Sequence, residues 1–159
     1  MEKQLDSSYQ VLIAAPGFCL GVRCDEHEIA QIAFLQPRPE YAAANALAAE
    51  AARQLHAYLL NPDFVFDLPL RASGSVFQRH VWAQIAAIPN HQTRTYGQLA
   101  HALLNAPRAV GQACGANPFP LVVPCHRVIA SGGRLGGFAR QGDGFLLDIK
   151  RWLLAHESV

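Results

Sequence analysis

The sequence is poor in cysteine, in charge and in long apolar runs. Four cysteines in 159 residues are too few for a disulfide framework, so we interpret them as free thiols of a reducing compartment, the cytoplasm. The longest apolar stretches, such as residues 11–15 and 32–35, cannot span a bilayer, and residues 1–6 lack the apolar core of a signal peptide. These absences predict a globular protein without a membrane partner.

Metal and nucleotide chemistry have little support in the sequence. Cys19, Cys24 and His27 lie near one another, but the gap between the two cysteines is apolar and no fourth ligand stands out. A glycine-rich loop of the kind that cradles phosphates is also missing. We therefore predict neither a metal ion nor any other cofactor.

The charges are nearly balanced, with a formal net charge of +1, so the overall field does not indicate a polyanionic partner. Their distribution is uneven, because most acids precede residue 70 and most bases follow it. The bases of the later segment are Arg71, Arg79, Arg94, Arg108, Arg127, Arg134, Arg140, Lys150 and Arg151. A surface that binds DNA would therefore have to be a local one in this later segment.

Residues 1–75 have the pattern of a small α/β unit. A helical pattern covers residues 41–60, and residues 69–75 are typical of a linker. The predicted strands are residues 10–15, 18–23, 29–35 and 64–68. We predict a first domain over 1–75 in which strands and a helix support the rest of the chain.

Residues 76–159 change to short helices. Apolar residues at helical spacing after Ser75 predict a helix that ends before Pro89. Two further helical patterns, 96–104 and 108–116, are separated by an Asn-Ala-Pro break and predict a helix-turn-helix. The predicted fold class is α+β, with this second domain as the DNA-binding and active-site domain.

The predicted helix 108–116 consists almost entirely of small side chains. Close packing of this helix in the core accounts for that composition. Entry of a slim helix into a narrow groove accounts for it equally, and the flanking Arg94 and Arg108 favour this second interpretation.

A predicted buried strand at 121–123 runs into Cys125 and His126. A cysteine beside a histidine is a candidate nucleophile, but the pair alone is weak evidence because buried cysteine is commonly an inert packing residue. Adjacent residues of an extended chain point to opposite sides. We therefore expect a water molecule to link the thiol and the imidazole in place of a direct contact.

Four pieces of sequence occur together and in order around this pair. They are Tyr96, the run Arg108-Ala-Val-Gly, residues 117–128 (Asn-Pro-Phe-Pro-Leu-Val-Val-Pro-Cys-His-Arg-Val) and residues 152–157 (Trp-Leu-Leu-Ala-His-Glu). The combination closely resembles the O6-alkylguanine-DNA alkyltransferases, also called methylated-DNA–protein-cysteine methyltransferases. The Pro-Cys-His-Arg-Val run is highly specific to that family. The resemblance covers residues 77–157 well and the first 75 residues only in general pattern.

The resemblance implies a ribonuclease H-like first domain and a winged-helix-like helix-turn-helix in the second. Some members of the family carry a structural zinc in the N-terminal half, but a full ligand set cannot be matched here. The implied activity is direct DNA repair, in which the alkyl group of O6-alkylguanine is transferred irreversibly to Cys125 after base flipping. O4-alkylthymine is a second candidate substrate. The protein would be a single-turnover suicide enzyme that uses no cofactor.

The chemistry of such a transfer requires a thiolate, and a free cysteine with a pKa of about 8.5 is only slightly ionised at neutral pH. In the family, the residue matching His126 removes the proton through a bridging water. The residue matching Glu157 orients that histidine. Asn117 matches an asparagine that ties the end of the recognition helix to the segment carrying Cys125.

Further residues are implied in DNA binding. Tyr96 matches a tyrosine that contacts the flipped base, and Arg108 matches the arginine finger that fills the gap in the base stack. The backbone carbonyls of Cys125 and Val128 would accept from the guanine amine, and the amide of Ala139, beside Phe138, would donate to O6. The helix-turn-helix would lie in the minor groove and bind duplex DNA of any sequence. Its groove-facing contacts would come from Arg94, Ala109, Gly111, Gln112 and Gly115, with Ala113 as part of the same small-residue pattern.

The chain departs from the family at the segment that should cover the alkyl pocket. Phe138 and Ala139 stand where many members have Tyr and Ser, and residues 140–148 are longer and more polar than in some members. The size of the pocket, and with it the range of adducts, is therefore open. Cys114 lies on the predicted groove-facing helix, where we interpret it as a small packing residue.

Three other functions fit parts of the sequence. An alkyltransferase-like protein flags lesions without repair, but such proteins lack the cysteine that is present here as Cys125. A regulator that senses its own methylation would carry an added activator domain. A cysteine hydrolase would need an oxyanion hole and a substrate cleft that the sequence does not indicate. We predict the repair protein, acting as a monomer.

Overall fold

The computed structural model describes residues 8–136 and 144–158. The chain divides after Ala72 into two compact units. Within the described part of the chain, no helix is both long and apolar enough to cross a bilayer. The architecture mixes helices with small sheets, in agreement with the coarse class predicted from the sequence.

The first unit is built on a three-stranded antiparallel sheet in the order β1-β2-β3. The strands are β1 (Val11–Ala15), β2 (Phe18–Cys24) and β3 (Ile29–Leu35), within one residue of the predicted ranges. Gly17 makes the tight turn between β1 and β2 with a φ of 84°, a conformation that favours glycine. Helix α1 (Ala46–Leu60) packs on β1 and β2, and Leu55 and Tyr58 belong to the buried core.

Two predictions for this unit are wrong. Helix α1 starts at Ala46 and not at residue 41, because the side chain of Asn45 accepts from the amide of Ala48 at 2.8 Å and caps the helix there. Residues 64–68 do not form a strand. The buried side chain of Gln54 instead donates to the Asp67 carbonyl and accepts from the Asp67 amide, at 2.9 Å each. The backbone of this segment is therefore paired with a side chain and not with a neighbouring strand.

The second unit carries four α-helices among its described residues. They are α2 (Val76–Ala86), α3 (Tyr96–Ala102), α4 (Pro107–Gly115) and α5 (Phe145–His156). Short strands β4 (Arg94–Thr95) and β5 (Val128–Ile129) pair in parallel. Helix α4 packs against α2 and α3, so α3 and α4 form the predicted helix-turn-helix, with Pro107 in the first turn of α4.

The predicted strand at 121–123 is also wrong. This segment forms turns, in which the amide of Val123 donates to the carbonyl of Phe119 at 2.8 Å and Leu121 has a φ of 76°. A short 3-10 helix (Cys125–Arg127) follows, and pairing with β4 begins only at Val128. The candidate nucleophile therefore sits in a helical turn ahead of the strand.

Candidate active site

Cys125 opens the 3-10 turn and is 5% exposed. Its sulfur accepts a hydrogen bond from Nδ2 of Asn117 at 3.1 Å and lies 3.7 Å from the carbonyl oxygen of Cys114, to which the thiol donates. The Asn117 amide also donates to the carbonyl of Val123 at 2.9 Å, while its Oδ1 accepts from the amide of Phe119. Asn117 therefore links the segment after α4 to the turn that holds the nucleophile.

The surroundings of Cys125 keep its thiol protonated. The neighbouring Cys114 side chain and burial raise the pKa of Cys125 well above its ordinary value, although the donor from Asn117 acts in the opposite direction. Cys125 is therefore a protonated thiol at rest, and its use as a nucleophile requires a base.

The imidazole of His126 and the carboxylate of Glu157 are buried together and hydrogen-bonded to each other. Nε2 of His126 lies 2.8 Å from Oε2 of Glu157, and both side chains are buried. A carboxylate accepts, so Nε2 carries the proton and Nδ1 keeps the lone pair. Among the described residues, Nδ1 is buried without a hydrogen-bond partner. Burial lowers the pKa of His126 against the opposing effect of Glu157, which favours the neutral imidazole at physiological pH.

The geometric reason that we gave for a water link between Cys125 and His126 is wrong, because these residues are not on an extended chain. In their 3-10 turn, successive side chains are about 120° apart, so the two groups still leave the backbone in different directions.

Arg127 is a site residue that the sequence analysis missed. Its guanidinium donates to both carboxylate oxygens of Glu157, from Nε at 2.8 Å and from Nη2 at 3.0 Å, and its Nη1 donates to the carbonyl of Ile88 at 2.8 Å. Nδ1 of His91 also lies 2.5 Å from the backbone oxygen of Glu157. The sequence feature that could have identified Arg127 is its position within the Pro-Cys-His-Arg-Val run.

Lys150 is a second residue that the sequence analysis missed. Its ammonium donates to the carbonyls of Val128 at 2.7 Å and Leu135 at 2.6 Å, and burial lowers its pKa to about 8. The Val128 carbonyl was predicted to accept a hydrogen bond from the guanine amine. A carbonyl oxygen has two lone pairs, so this one can accept from a second donor besides Lys150. A lysine within the apolar stripe of the last helix, between Leu147 and Leu154, was the available signal.

Tyr96 begins helix α3, and Nζ of Lys150 lies 5.9 Å from the centre of its ring. Burial raises the pKa of Tyr96, with a contribution in the same direction from Cys114 and Cys125. The phenol therefore stays protonated and can donate a hydrogen bond.

Helix α4 has two different faces. Val110 and Ala113 are buried, and the carbonyl of Ala113 accepts from Nε1 of Trp82 at 2.8 Å. The helix also borders a groove of about 870 Å³, whose lining includes Ala113 as well as more exposed residues of α4. Its lining residues are Ser75, Phe77, Gln78, Arg108, Ala109, Gly111, Gln112 and Ala113. The small residues of α4 therefore serve close packing on one side and leave an open surface on the other.

The remaining predicted site residues are placed as follows. Gly115 is half-buried at the last turn of α4, and Arg94 lies in β4, where its guanidinium donates to the Thr93 carbonyl and to Oε1 of Gln92. Phe138 and Ala139 lie outside the described residues. Within the described ranges, no group of three or more His, Cys, Asp or Glu side chains could hold a metal ion.

The arrangement as a whole fits proton removal from a buried thiol, followed by attack of the sulfur on an electrophile. The thiol comes from Cys125, the neutral base from His126 and the orienting carboxylate from Glu157. Arg127 holds that carboxylate in place.

Comparisons with known proteins point to one group of relatives. A family model described as the DNA-binding domain of 6-O-methylguanine DNA methyltransferase matches residues 76–159. The methylated-DNA–protein-cysteine methyltransferase of Methanosarcina acetivorans is 46% identical over 111 residues, which cover 69% of this chain and 68% of that relative. The constitutive methylated-DNA–protein-cysteine methyltransferase of Bacillus subtilis is 42% identical over 113 residues, 70% of this chain and 66% of the relative.

A solved structure is similar over nearly the whole chain. The crystal structure of Mycobacterium tuberculosis OGT in complex with DNA aligns with a TM-score of 0.78 and 32% identity, covering 92% of this chain and 90% of that one.

Replacing Arg127 by Met should destabilise the protein strongly. The change leaves the fully buried Glu157 carboxylate without its bidentate partner, and breaking a buried ion pair from one side costs about 3 kcal/mol. Urea unfolding followed by circular dichroism measures the loss. Arg151→Met is the matched control, since its pair with Asp148 is exposed and should contribute nothing measurable. Equal stability of the two variants would contradict this account of Glu157.

Proposed function

This chain belongs to the 6-O-methylguanine DNA methyltransferase family, and on that premise we propose that it repairs DNA directly by transferring the alkyl group of O6-alkylguanine to Cys125. The observation that carries the proposal is the hydrogen bond between His126 and Glu157, which leaves Nδ1 of the buried imidazole as a base next to a buried thiol. The protein is both catalyst and acceptor.

The reaction balances with the residues of this site. Nδ1 of His126 takes the proton of Cys125 through a water molecule, and the thiolate attacks the alkyl carbon. A carbon–sulfur bond forms, the bond from that carbon to O6 breaks, and its electron pair stays on the guanine. A hydrogen bond from the Tyr96 phenol makes the guanine a better leaving group. The product is a thioether, whose carbon–sulfur bond is stable to hydrolysis, so each molecule acts once.

Presentation of the lesion rests on helix α4. We propose that the helix-turn-helix enters the minor groove and that the damaged nucleotide is flipped out, with Arg108 filling the gap in the base stack. The groove-facing side of α4 offers only small side chains and Gln112 beside Arg108, which favours binding without sequence preference. Arg94 and Gly115 would add further contacts to the DNA.

Recognition of the base itself would come from the backbone. The carbonyls of Cys125 and Val128 would accept from the guanine amine, and the amide of Ala139, next to Phe138, would donate to O6. Whether O4-alkylthymine also enters depends on the segment 137–143.

The finer description of the protein follows from the family. We propose a ribonuclease H-like first domain over 1–75 and a winged-helix-like second domain over 76–159, active as a monomer without a cofactor. The free thiols that the chemistry needs favour a reducing compartment such as the cytoplasm.

The alternative of an alkyltransferase-like protein that only flags lesions is not favoured. Such a protein has no use for a nucleophilic cysteine, whereas Cys125 is present here with a base and an orienting acid.

Incubation with duplex DNA that contains O6-methylguanine should add one methylene to the mass of the protein. Intact-mass spectrometry and peptide mapping should place it on Cys125, and Cys125→Ser should gain nothing. If the unsubstituted protein binds the lesion tightly but acquires no adduct, alkyl transfer is wrong and the flagging role is correct.

The rate of transfer should hold as the pH falls through the range in which an ordinary histidine becomes protonated. The base is neutral His126, and burial lowers its pKa below the ordinary value of 6.5, so the imidazole stays unprotonated to lower pH. Single-turnover rates measured from about pH 8 to about pH 5 give this profile. This range extends at least about one unit to each side of the ordinary histidine pKa. The exposed His80→Gln is the control and should leave it unchanged. A fall centred at or above the ordinary histidine pKa would count against His126 as the base.

Replacing Arg108 by Ala should impair transfer from duplex DNA but not from free O6-alkylguanine base. Filling the gap in the stack offsets an unstacking cost of a few kcal/mol, so the rate on DNA should fall roughly ten- to a hundredfold. Single-turnover rates on both substrates make the comparison, with Arg53→Ala in the first unit as the control. Equal loss on both substrates would contradict a role in flipping.

A further inference from the structure

The loop between helix α2 and strand β4 contacts the backbone of Glu157 through His91. Nδ1 of His91 lies 2.5 Å from the backbone oxygen of Glu157. A carbonyl oxygen only accepts, so Nδ1 of this histidine carries the proton and donates. None of the roles proposed above uses this contact, although Glu157 is the residue that orients the base.

His91 makes the contact from an unusual backbone conformation. Its φ is 68°, in the left-handed region that residues other than glycine seldom adopt, although histidine and asparagine do so more often than most. The side chain of Asn90 accepts from the His91 amide at 2.9 Å and supports this turn of the chain. Such a conformation persists only where the surrounding contacts maintain it.

The contact falls at the point where helix α5 ends. Glu157 follows the last residue of that helix, and the carbonyls at the end of a helix have no amide partner within it. Helix ends fray, so a carbonyl in this place needs a donor from elsewhere in the chain. His91 is that donor for Glu157, and its hydrogen bond fastens the backbone that carries the carboxylate.

Glu157 is thus held at its backbone and at its carboxylate. Arg127 donates to both carboxylate oxygens and also to the carbonyl of Ile88, three residues before His91. His126 donates to the same carboxylate from Nε2 at 2.8 Å. The loop therefore meets the glutamate backbone directly and its carboxylate through Arg127. A side chain fixed at both ends has few positions in which to present its carboxylate to the imidazole.

We propose that His91 is a positioning residue of the transfer reaction, whose hydrogen bond to the backbone of Glu157 keeps the glutamate carboxylate at Nε2 of His126. This inference rests on the proposed function, in which Nδ1 of His126 takes the thiol proton. The acceptor at Nε2 is what leaves the lone pair on Nδ1. If the carboxylate moves away, the proton can transfer to Nδ1, and that tautomer cannot act as the base.

Two variants change the donor without adding backbone strain. Glycine adopts a positive φ freely, and asparagine tolerates it better than most residues. His91→Gly removes the donor. His91→Asn keeps one, because the amide nitrogen of asparagine is attached to Cγ just as Nδ1 of histidine is. His91→Asn is therefore the conservative variant that should rescue what His91→Gly loses.

The first measurement is the tautomer of His126 in the full chain, free of DNA. Chemical shifts of the ring nitrogens, recorded by NMR with isotope-labelled histidine at about pH 8, report it while the imidazole is neutral. The unsubstituted protein and His91→Asn should carry the proton on Nε2, whereas His91→Gly should show a mixture of the two tautomers. Urea unfolding confirms that each variant is folded. Lower stability of His91→Gly with an unchanged tautomer would reduce the contact to a structural one and overturn the proposal.

The second measurement is the single-turnover rate of methyl transfer. His91→Gly should be slower by roughly three- to tenfold, the effect of one hydrogen bond, and His91→Asn should stay within about twofold of the unsubstituted protein. The loss should be the same on duplex DNA containing O6-methylguanine and on the free O6-methylguanine base, because His126 acts on both. A loss on DNA alone would assign the exposed His91 to DNA binding and overturn the proposal.

Because the tautomer measurement involves neither DNA nor an alkyl group, it does not depend on alkyl transfer. A changed tautomer in His91→Gly, together with an unsubstituted protein that accepts no methyl group, would refute the proposed function and leave the action of His91 on Glu157 intact. Normal transfer by a folded His91→Gly with an unchanged tautomer would do the reverse.

Discussion

The second unit is organised around the carboxylate of Glu157, which is fully buried and therefore needs hydrogen-bond and ion-pair partners. An uncompensated carboxylate in a protein interior costs several kcal/mol, so Glu157 tolerates its position only with partners in place. Arg127 and His126 provide these partners from the same 3-10 turn. Arg127 also donates a hydrogen bond to the carbonyl of Ile88, just beyond helix α2. This one ion-pair network therefore connects the nucleophile's turn to the end of α5 and to the end of α2.

The same network decides where the imidazole of His126 holds its proton. Because Glu157 accepts the Nε2 proton of His126, the lone pair of the imidazole is on Nδ1, where a proton can be received. Burial keeps Cys125 protonated and His126 neutral. In the transfer that we propose, this neutral imidazole is the base that takes the proton of the thiol.

Helix α4 connects the groove to the candidate active site. Its first turn carries Arg108 beside the groove, and in its last turn the carbonyl of Cys114 lies 3.7 Å from the sulfur of Cys125. In a helix of nine residues these positions are fewer than two turns apart. A ligand on the groove side would therefore contact the same short element that contacts the thiol, and Nε1 of Trp82 holds the buried side of this element by donating to the carbonyl of Ala113.

Local patterns in the sequence were sufficient for the three strands of the first sheet and for the helix-turn-helix. The family motif singled out Cys125, His126 and Glu157, whose catalytic roles stay predictions. These features depend on residues close together in sequence or on a run that is specific by itself. The predicted strands at 64–68 and 121–123 are wrong. The side chain of Gln54 satisfies the Asp67 backbone in the first segment, and the side chain of Asn117 donates to the Val123 carbonyl in the second, so these backbone groups need no neighbouring strand. Three contacts were decided only by the tertiary structure: that of the Cys125 thiol with the Cys114 carbonyl, that of Arg127 with the carboxylate of Glu157, and that of the buried Lys150 with two backbone carbonyls. The reason is physical: each depends on the distance and the desolvation of groups 11 to 30 residues apart, and neither quantity exists until the chain has folded.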